Sequence, residues 1–336
     1  MSAYHVVFYQ AESIATASSE KKAAVLWQAV RCPQWHCYFF IVAVLCQCLF
    51  AAGVMAQTEK VSEAPALRVD ALLWKIDGNG LKAPSYLFGT IHLICEYDVV
   101  MSKATRRAFS QSKQLAMEID IEKTQENDLT SLLGKGAMMR GDTTLEMLLD
   151  TADMALITNF FRDSLGIPFM PPMNRIKPTF LSTMLLQGEQ DCEQTSYEEE
   201  FVRLARRQKK PTLGIETVEE QLALFDYLTY KQQAEMLVSD LKSSMNPATQ
   251  DNSLPQVTEL YKQGKITELL DLLRSEEAEN FEEVLLNKRN RAWIPILERT
   301  MRQKPTFIAV GAGHLAGEQG VINLLRKRGY KLTPIK

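Results

Sequence analysis

Beyond residue 70 the chain alternates between short apolar runs that stop at turn-forming or acidic residues and longer stretches whose apolar positions recur every three or four residues. The short runs predict strands. Ala71–Asp77 (ALLWKID) and Ser85–Ile91 (SYLFGTI) flank Gly78-Asn79-Gly80, a turn signal, and so predict a β-hairpin. Leu115–Ile121 (LAMEIDI) predicts a third strand, and the alternation of acidic and apolar residues after Met117 sets Glu118 and Asp120 on one face. Thr212–Ile215 and Thr306–Val310 complete the set.

The longer period predicts helices over Ser102–Gln111, Asp153–Leu165, Pro178–Leu186, Lys231–Lys242, Asp251–Lys262, Lys265–Arg274, Phe281–Met301 and Glu318–Arg328, with Pro295 kinking or splitting the longest. Ser196-Tyr-Glu-Glu199 and Thr217-Val-Glu-Glu220 read as capping boxes ahead of two more. Gly166–Pro178, crowded with prolines, reads as an irregular surface loop or the border of a cleft. Few scattered strands among many helices predict an α/β or α+β domain with one central sheet; of the two the expectation is α/β, a central mixed sheet with many surrounding helices and a helical insertion in the stretch between Leu129 and Met301. No linker interrupts residues 71–336, so they form one domain.

Ahead of that body, Cys37–Ala56 is an uncharged apolar run preceded by Lys21, Lys22 and Arg31 and closing on Val54-Met55-Ala56. Residues 1–56 therefore read as a signal peptide, or as an uncleaved N-terminal anchor, with 57–70 as a polar tether. The protein is expected to be exported to the periplasm or cell envelope and to touch a membrane only through this segment. Four of the six cysteines lie in or beside it, leaving Cys95 and Cys192. An even pair in an oxidising compartment suggests one disulfide; two buried thiols are the alternative. A formal net charge of -3 with no stretch of five or six like charges gives nucleic acid no basic face to bind. Oligomeric state is not legible.

The chemistry concentrates in two histidines. Outside the export segment the chain has only His92 and His314, and each stands in a Gly-x-x-His frame: Gly89-Thr90-Ile91-His92 and Gly311-Ala312-Gly313-His314. Both frames sit at predicted strand ends, where an open sheet presents side chains to a crevice, and imidazole serves there as metal ligand or general base. Two satisfied loop histidines are the plain alternative. Glu118, after the third strand, and Glu216, after Leu213-Gly214-Ile215, are candidate carboxylates, although an anion ahead of a capped helix is also stabilised without any function. Arg289 and Asn290, on a helix with Trp293 and Ile294, could orient a carboxylate or a carbonyl, as could Lys177; a solvated helix face explains them equally well. Gly311-x-Gly313-x-x-x-Gly317 imitates a dinucleotide-binding turn, but no acidic residue follows to hold a ribose. Serine-hydrolase elbow, zincin helix, phosphate loop and Cys-x-x-Cys motifs are missing.

SYLFGTIHL, LAMEID, SYEEEFVRLARRQKKPTLGIETVEEQLALFD, RNRAWIPIL and FIAVGAGHLAGEQGVINLLRKRGY together resemble the TraB/PrgY/GumN family over nearly all of Leu72 to Pro334. The resemblance implies a fold like that of the erythromycin esterase and ChaN-like proteins and a distant kinship with the Tiki metalloproteases, which act on extracellular polypeptides. It implies His92 and His314 as metal or catalytic histidines, with Glu118 matching the acidic residue after the third strand and Glu216, Arg289 and Asn290 on other family motif positions. In the expected mechanism His92, His314 and Glu118 hold a divalent metal ion (Mn, Co or Zn), Glu216 takes a proton from bound water, and Arg289 or Asn290 stabilises the oxyanion. The expected activity is a metal-dependent hydrolase, a Tiki-like peptidase acting on a peptide or protein substrate. A metal-independent esterase-type hydrolase, or a non-catalytic protein that sequesters a peptide signal or a haem-like ligand, is the alternative. Cys95 and the region from Cys192 to Glu199 resemble the version found in Bacteroidetes, which strengthens the disulfide and the envelope location.

Overall fold

The computed structural model describes residues 70–123, 136–188, 192–245, 253–273 and 282–336. The expected export segment and all of the tether but Asp70 lie outside them. Among the described residues there are eight strands: β1 (Leu73–Gly78), β2 (Ser85–Thr90), β3 (Ile94–Cys95), β4 (Gln114–Met117), β5 (Gln194–Thr195), β6 (Thr212–Gly214), β7 (Thr306–Gly311) and β8 (Tyr330–Ile335). Six of them form a mixed sheet in the order β6-β4-β7-β2-β1-β8. Neighbours β6, β4, β7 and β2 run parallel, while β1 is antiparallel to both β2 and β8. Every residue of β2, β4 and β7 is buried. Strands covered on both faces need continuous apolar runs rather than alternation, which is why these three stand out in the sequence.

The β1–β2 hairpin forms as expected, with Gly78, Asn79 and Gly80 all at positive φ (83°, 43° and 77°). Three expectations are corrected. β4 ends at Met117 instead of continuing to Ile121, because the chain after β6 closes over it: the Ile215 N–H donates to the Met117 carbonyl at 2.8 Å and the Glu216 N–H to that of Glu118 at 2.8 Å. Glu118 and Asp120 consequently part company, and Asp120 accepts from the Thr212 hydroxyl at 2.7 Å and pairs with Lys123. The chain end, which carries no strand signal beyond Tyr330-x-Leu332, forms β8, with Pro334 tolerated on an edge.

Eleven α-helices occur among the described residues: α1 (Lys103–Gln111), α2 (Leu145–Leu148), α3 (Thr151–Asp163), α4 (Pro178–Gly188), α5 (Tyr197–Arg207), α6 (Val218–Leu224), α7 (Tyr230–Ser244), α8 (Ser253–Lys262), α9 (Ile266–Leu273), α10 (Lys288–Gln303) and α11 (Val321–Lys327). The third correction concerns α10, which continues past Pro295 unbroken. Pro295 and Arg291 are both on the exposed face, where water can reach the carbonyl that proline leaves without its donor. The irregularity lies upstream instead, as a π-helical turn over Glu283–Asn287. Thr217 and Glu220 cap α6 reciprocally, whereas at α5 Ser196 accepts from the Glu199 N–H but the Glu199 carboxylate turns to Thr195.

Within the insertion, α2, α3, α4 and α7 share a core that includes Leu145, Ile157, Phe161, Leu181, Leu237 and Leu241. Lys177, expected as a site candidate, is buried there in an ion pair with Asp226 at 2.6 Å. Most of the loop before it is exposed, with a 3-10 turn at Pro171–Arg175. On the sheet itself Phe88 of β2, Phe307 of β7, Phe109 of α1 and Phe201 of α5 interlock at ring-centroid distances of 4.7 to 6.1 Å. Each such contact contributes about 0.5–1.5 kcal/mol beyond its buried area, and together they fasten α5 to the sheet.

Candidate functional site

Because β2, β4, β6 and β7 run parallel, their C-terminal ends lie along one edge, and each releases a polar side chain just past its end. His92 follows β2 by two residues, Glu118 follows β4 directly, Glu216 follows β6 by two, and His314 follows β7 by three. The order β4-β7-β2 places the last-formed parallel strand between two earlier ones, so the chain diverges to either side of the crevice at this edge. Thr90 lies abreast of Gly311, so the two Gly-x-x-His frames are one residue out of step.

Glycine is needed in both frames for closeness. A Cβ on Gly89 would stand 2.9 Å from Leu315 Cδ2 and 3.1 Å from Ala312 Cα, so one corner packs directly on the other. A Cβ on Gly311 would stand 3.2 Å from His92 Nε2, 3.3 Å from Glu118 Oε1 and 3.6 Å from His314 Cδ2. Those three groups therefore gather around a single backbone position, all of them buried.

Glu118 is the middle of the cluster. Its Oε1 accepts the Gly311 N–H at 2.8 Å, and its Oε2 accepts from Arg289 Nη2 at 2.7 Å and Gln221 Nε2 at 3.1 Å. Burial pushes its pKa up, but the Arg289 charge, with the histidines and the Gly311 N–H, outweighs this and holds the carboxyl well below the usual range. Glu216 accepts from Arg289 Nε at 3.0 Å, from Arg289 Nη2 at 2.9 Å, from Trp293 Nε1 at 2.6 Å and from Gln221 at 3.2 Å. Arg289 thus bridges two carboxylates, and its Nη1 donates to the Leu285 carbonyl of the π-turn at 2.9 Å.

That same Nη1 lies 3.1 Å from His314 Nε2, and Asn290 Oδ1 lies 2.6 Å from His314 Nδ1. A guanidinium only donates, so Nε2 must accept and Nδ1 must carry the proton that goes to Asn290. Burial first, and then the Arg289 charge, lower the His314 pKa to about 3, in keeping with a neutral ring. The Asn290 amide donates to the Gln319 carbonyl at 2.9 Å, and Trp293 lies against the His314 ring with centroids 4.3 Å apart. Both nitrogens of His314 are committed.

His92 is placed differently. Its Nδ1 lies 2.8 Å from Glu198 Oε1, at ion-pair distance but outside hydrogen-bond geometry, and its Nε2 turns toward Gly311. Burial lowers its pKa, yet Glu198, helped by Glu118, prevails and the net direction is upward. Glu198 Oε1 also accepts from the Thr90 hydroxyl at 2.5 Å, whereas Oε2 is buried without a hydrogen bond. Sequence reasoning missed Glu198, which lies inside the Ser196–Glu199 capping-box reading, and Gln221, which directly follows the Thr217–Glu220 one. A signal existed: Glu198 falls on the face of α5 that carries Phe201, Val202 and Ala205, and Gln221 on the face of α6 that carries Val218 and Leu222.

The trio expected to hold a divalent ion, His92, Glu118 and His314, is thus brought together, but its donors are engaged otherwise. Both Glu118 oxygens and His314 Nε2 accept hydrogen bonds, two of these three atoms from a guanidinium that puts a positive charge beside them. Among the described residues, no three His, Cys, Asp or Glu side chains are grouped so as to hold a metal ion. As placed, these residues do not fit a three-ligand cation site. Beside the cluster, a cleft of about 180 Å³ is lined by Leu270, Leu286, Asn287, Asn290, Gly313 and Gln319, among others. It reaches the residue next to His314.

The Metalloprotease TIKI1 of Danio rerio is 22% identical to this chain over 324 residues, covering 81% of the chain; the chain spans 64% of that relative's length. No solved structure matches. The family model described as the TraB/PrgY/gumN family matches residues 72–334, across both histidine corners and every element between them, and the chain belongs to that family.

Proposed function

We propose that the protein is a hydrolase, a peptidase acting on exported or extracellular polypeptides, in which His92 moves the proton and Glu198 orients its imidazole. The observation that carries this is the buried His92–Glu198 pair at the meeting point of two glycine corners. A carboxylate behind one ring nitrogen raises the basicity of the other and steadies the imidazolium that forms. A water at Nε2 gives its proton to His92 as its oxygen attacks the scissile carbonyl. The same ring then returns the proton to the departing amine. Positioned proton transfer of this kind is worth roughly 10²–10⁴-fold in rate. Arg289 holds Glu118 and Glu216 in place, and these carboxylates add negative potential around the imidazolium. The apolar N-terminal run supports export, with the site working in the periplasm or cell envelope.

The likeness to a metalloprotease favours a second reading, in which His92, Glu118 and His314 hold a Mn, Co or Zn ion. That arrangement requires Arg289 to release Glu118 and His314. A peptide-library digest with chelator, and with each metal added, tests both readings alongside metal quantification on wild type, His92→Ala and His314→Ala. The proposal expects cleavage that survives chelation and falls by about 10²–10⁴-fold in His92→Ala. Chelator-sensitive cleavage with stoichiometric metal, lost in both variants, would replace it by the metal reading. Peptide capture without cleavage, or a Soret band on adding haem, would replace it by sequestration.

A further inference from the structure

The proton-transfer pair joins two chain segments that are also joined by a cross-link the proposed chemistry does not use. Cys95 and Cys192 form a disulfide with their Cα atoms 5.7 Å apart across a separation of 97 residues. Cys95 comes three residues after His92, and Cys192 six before Glu198. Between them Ile94 pairs with Thr195 and Cys95 with Gln194, and the Glu96 N–H donates to the Glu193 carbonyl at 2.9 Å. A ladder of two residues per strand has too few contacts to hold its register in water. The sulfur bridge makes the two segments one covalent unit.

Glu198 is delivered at the end of this clamp, in the first turn of α5. Its placement is narrow: Oε1 serves both His92 and Thr90, and the side chain is buried. The aromatic cluster anchors α5 through Phe201, one turn further along. The clamp, with the Val100 N–H donating to the Tyr197 hydroxyl at 3.0 Å, ties the first turn of α5 to the chain that follows His92. The geometry points to Cys95 and Cys192 as positioning residues: their bridge fixes Glu198 against His92, so the pair is complete only when both thiols are oxidised. This rests on the reading of His92 and Glu198 as the proton-transfer pair.

Both cysteines are partly exposed, within reach of a reductant. A dithiol reductant passes two electrons and two protons to the bridge, breaking the Sγ–Sγ bond to give two thiols while its own sulfurs close into a disulfide. A site completed in this way works where thiols are oxidised and idles in a reducing compartment.

The test compares oxidised protein, protein reduced with dithiothreitol, and the Cys95→Ser/Cys192→Ser variant by hydrogen–deuterium exchange and by carbethoxylation of His92 and His314 with diethyl pyrocarbonate. Without the bridge, protection over residues 90–96 and 194–201 should fall about tenfold further than in β7, because only those segments open locally. Carbethoxylation of His92 should rise relative to His314, and kcat on any cleaved peptide should fall with KM held. Oxidised glutathione, which takes up the two electrons and two protons as two thiols, should restore the reduced protein and leave the double variant unchanged. An equal fall in protection everywhere, or an unmoved ratio between the two histidines, overturns the inference. Glu198→Gln with the bridge intact separates the two claims: hydrolysis undiminished in that variant sinks the proton-transfer reading and leaves the clamp measurements standing.

Discussion

Arg289 brings a full positive charge into a nearly dry region, and the two carboxylates on either side of it are what make that tolerable. Removing it strands Glu118 and Glu216 side by side. Breaking a buried ion pair from one side costs about 3–5 kcal/mol, more than the pair contributes as a whole, because the abandoned charges stay desolvated. Arg289→Met should lower the urea midpoint accordingly; wild-type stability in that variant would show that Arg289 is not the hub of the cluster. The two acid-sensitive groups give a second expectation. His314 is neutral in the folded protein down to about pH 3, whereas the unfolded chain takes its proton near pH 6.5. Its contribution is complete above about pH 6.5 and is lost as the pH falls below that, since the unfolded state then binds more protons. Glu118, with its pKa depressed, loses its contribution in the same direction below about pH 4.3. His92, raised, acts oppositely: its contribution is complete below about pH 6.5 and fades as the pH rises through its folded value. Urea unfolding from pH 7 to 4 should therefore show a falling free energy whose slope is shallower in His314→Gln. An identical slope in that variant would show that His314 is not the group responsible. In catalysis the raised His92 predicts an acidic limb of kcat/KM with its midpoint above about 6.5, moving down in Glu198→Gln.

At the level of elements, the contact between the two glycine corners decides whether the histidines meet. Alanine at Gly89 would gain about 0.4–1 kcal/mol from a stiffer unfolded chain. Against that, its Cβ would press on Ala312 Cα at 3.1 Å, a backbone atom that cannot swing aside as the end of the nearby Leu315 side chain can. Overpacking of this kind costs about 1–3 kcal/mol, so Gly89→Ala should be net destabilising in thermal unfolding; an unchanged or raised Tm would mean the corners are looser than this packing implies. The corners were legible in the sequence because strands buried on both faces leave unbroken apolar runs, and β2 and β7 end where those runs end. What escaped notice depends on distant partners. The early end of β4 is imposed by the chain after β6, some 95 residues on, and nothing local in LAMEIDI announces it. β8 carries a lysine, a threonine and a proline among its six residues, and it is a strand because β1 offers it an edge. Glu198 and Gln221 were hidden by a competing local explanation, since acidic and amide residues in a first helical turn already have a reason to be there. Reading them against the apolar face of their own helix is what would have uncovered them.

For the whole molecule, the site is assembled from strand ends spread between residues 90 and 314, so it exists only when the parallel part of the sheet is complete. Such long-range pairings carry a large loop-closure cost, and the Cys95–Cys192 bridge offsets part of it by holding together the ends of a 97-residue stretch that contains β4 and the start of the insertion. In the chain-entropy account, closing a loop of this size stabilises the folded state by on the order of 4–5 kcal/mol, set against a total of about 5–15 kcal/mol for ordinary domains. The reduced protein should thus remain folded at 25 °C, with a clearly lower urea midpoint. Its m-value should rise if the freed denatured chain expands. The two consequences of the bridge then separate cleanly. Loss of loop closure weakens every amide that exchanges by global unfolding by the same factor, while loss of the clamp adds a further opening confined to the segments around His92 and Glu198. A stabilising second substitution remote from the site, such as a proline at a compatible exposed turn, worth about 0.4–1 kcal/mol, should recover part of the first effect and leave the second. If it restored His92 protection as well, the bridge would be serving the fold alone, and the sheet with its aromatic cluster would be sufficient to hold the proton-transfer pair.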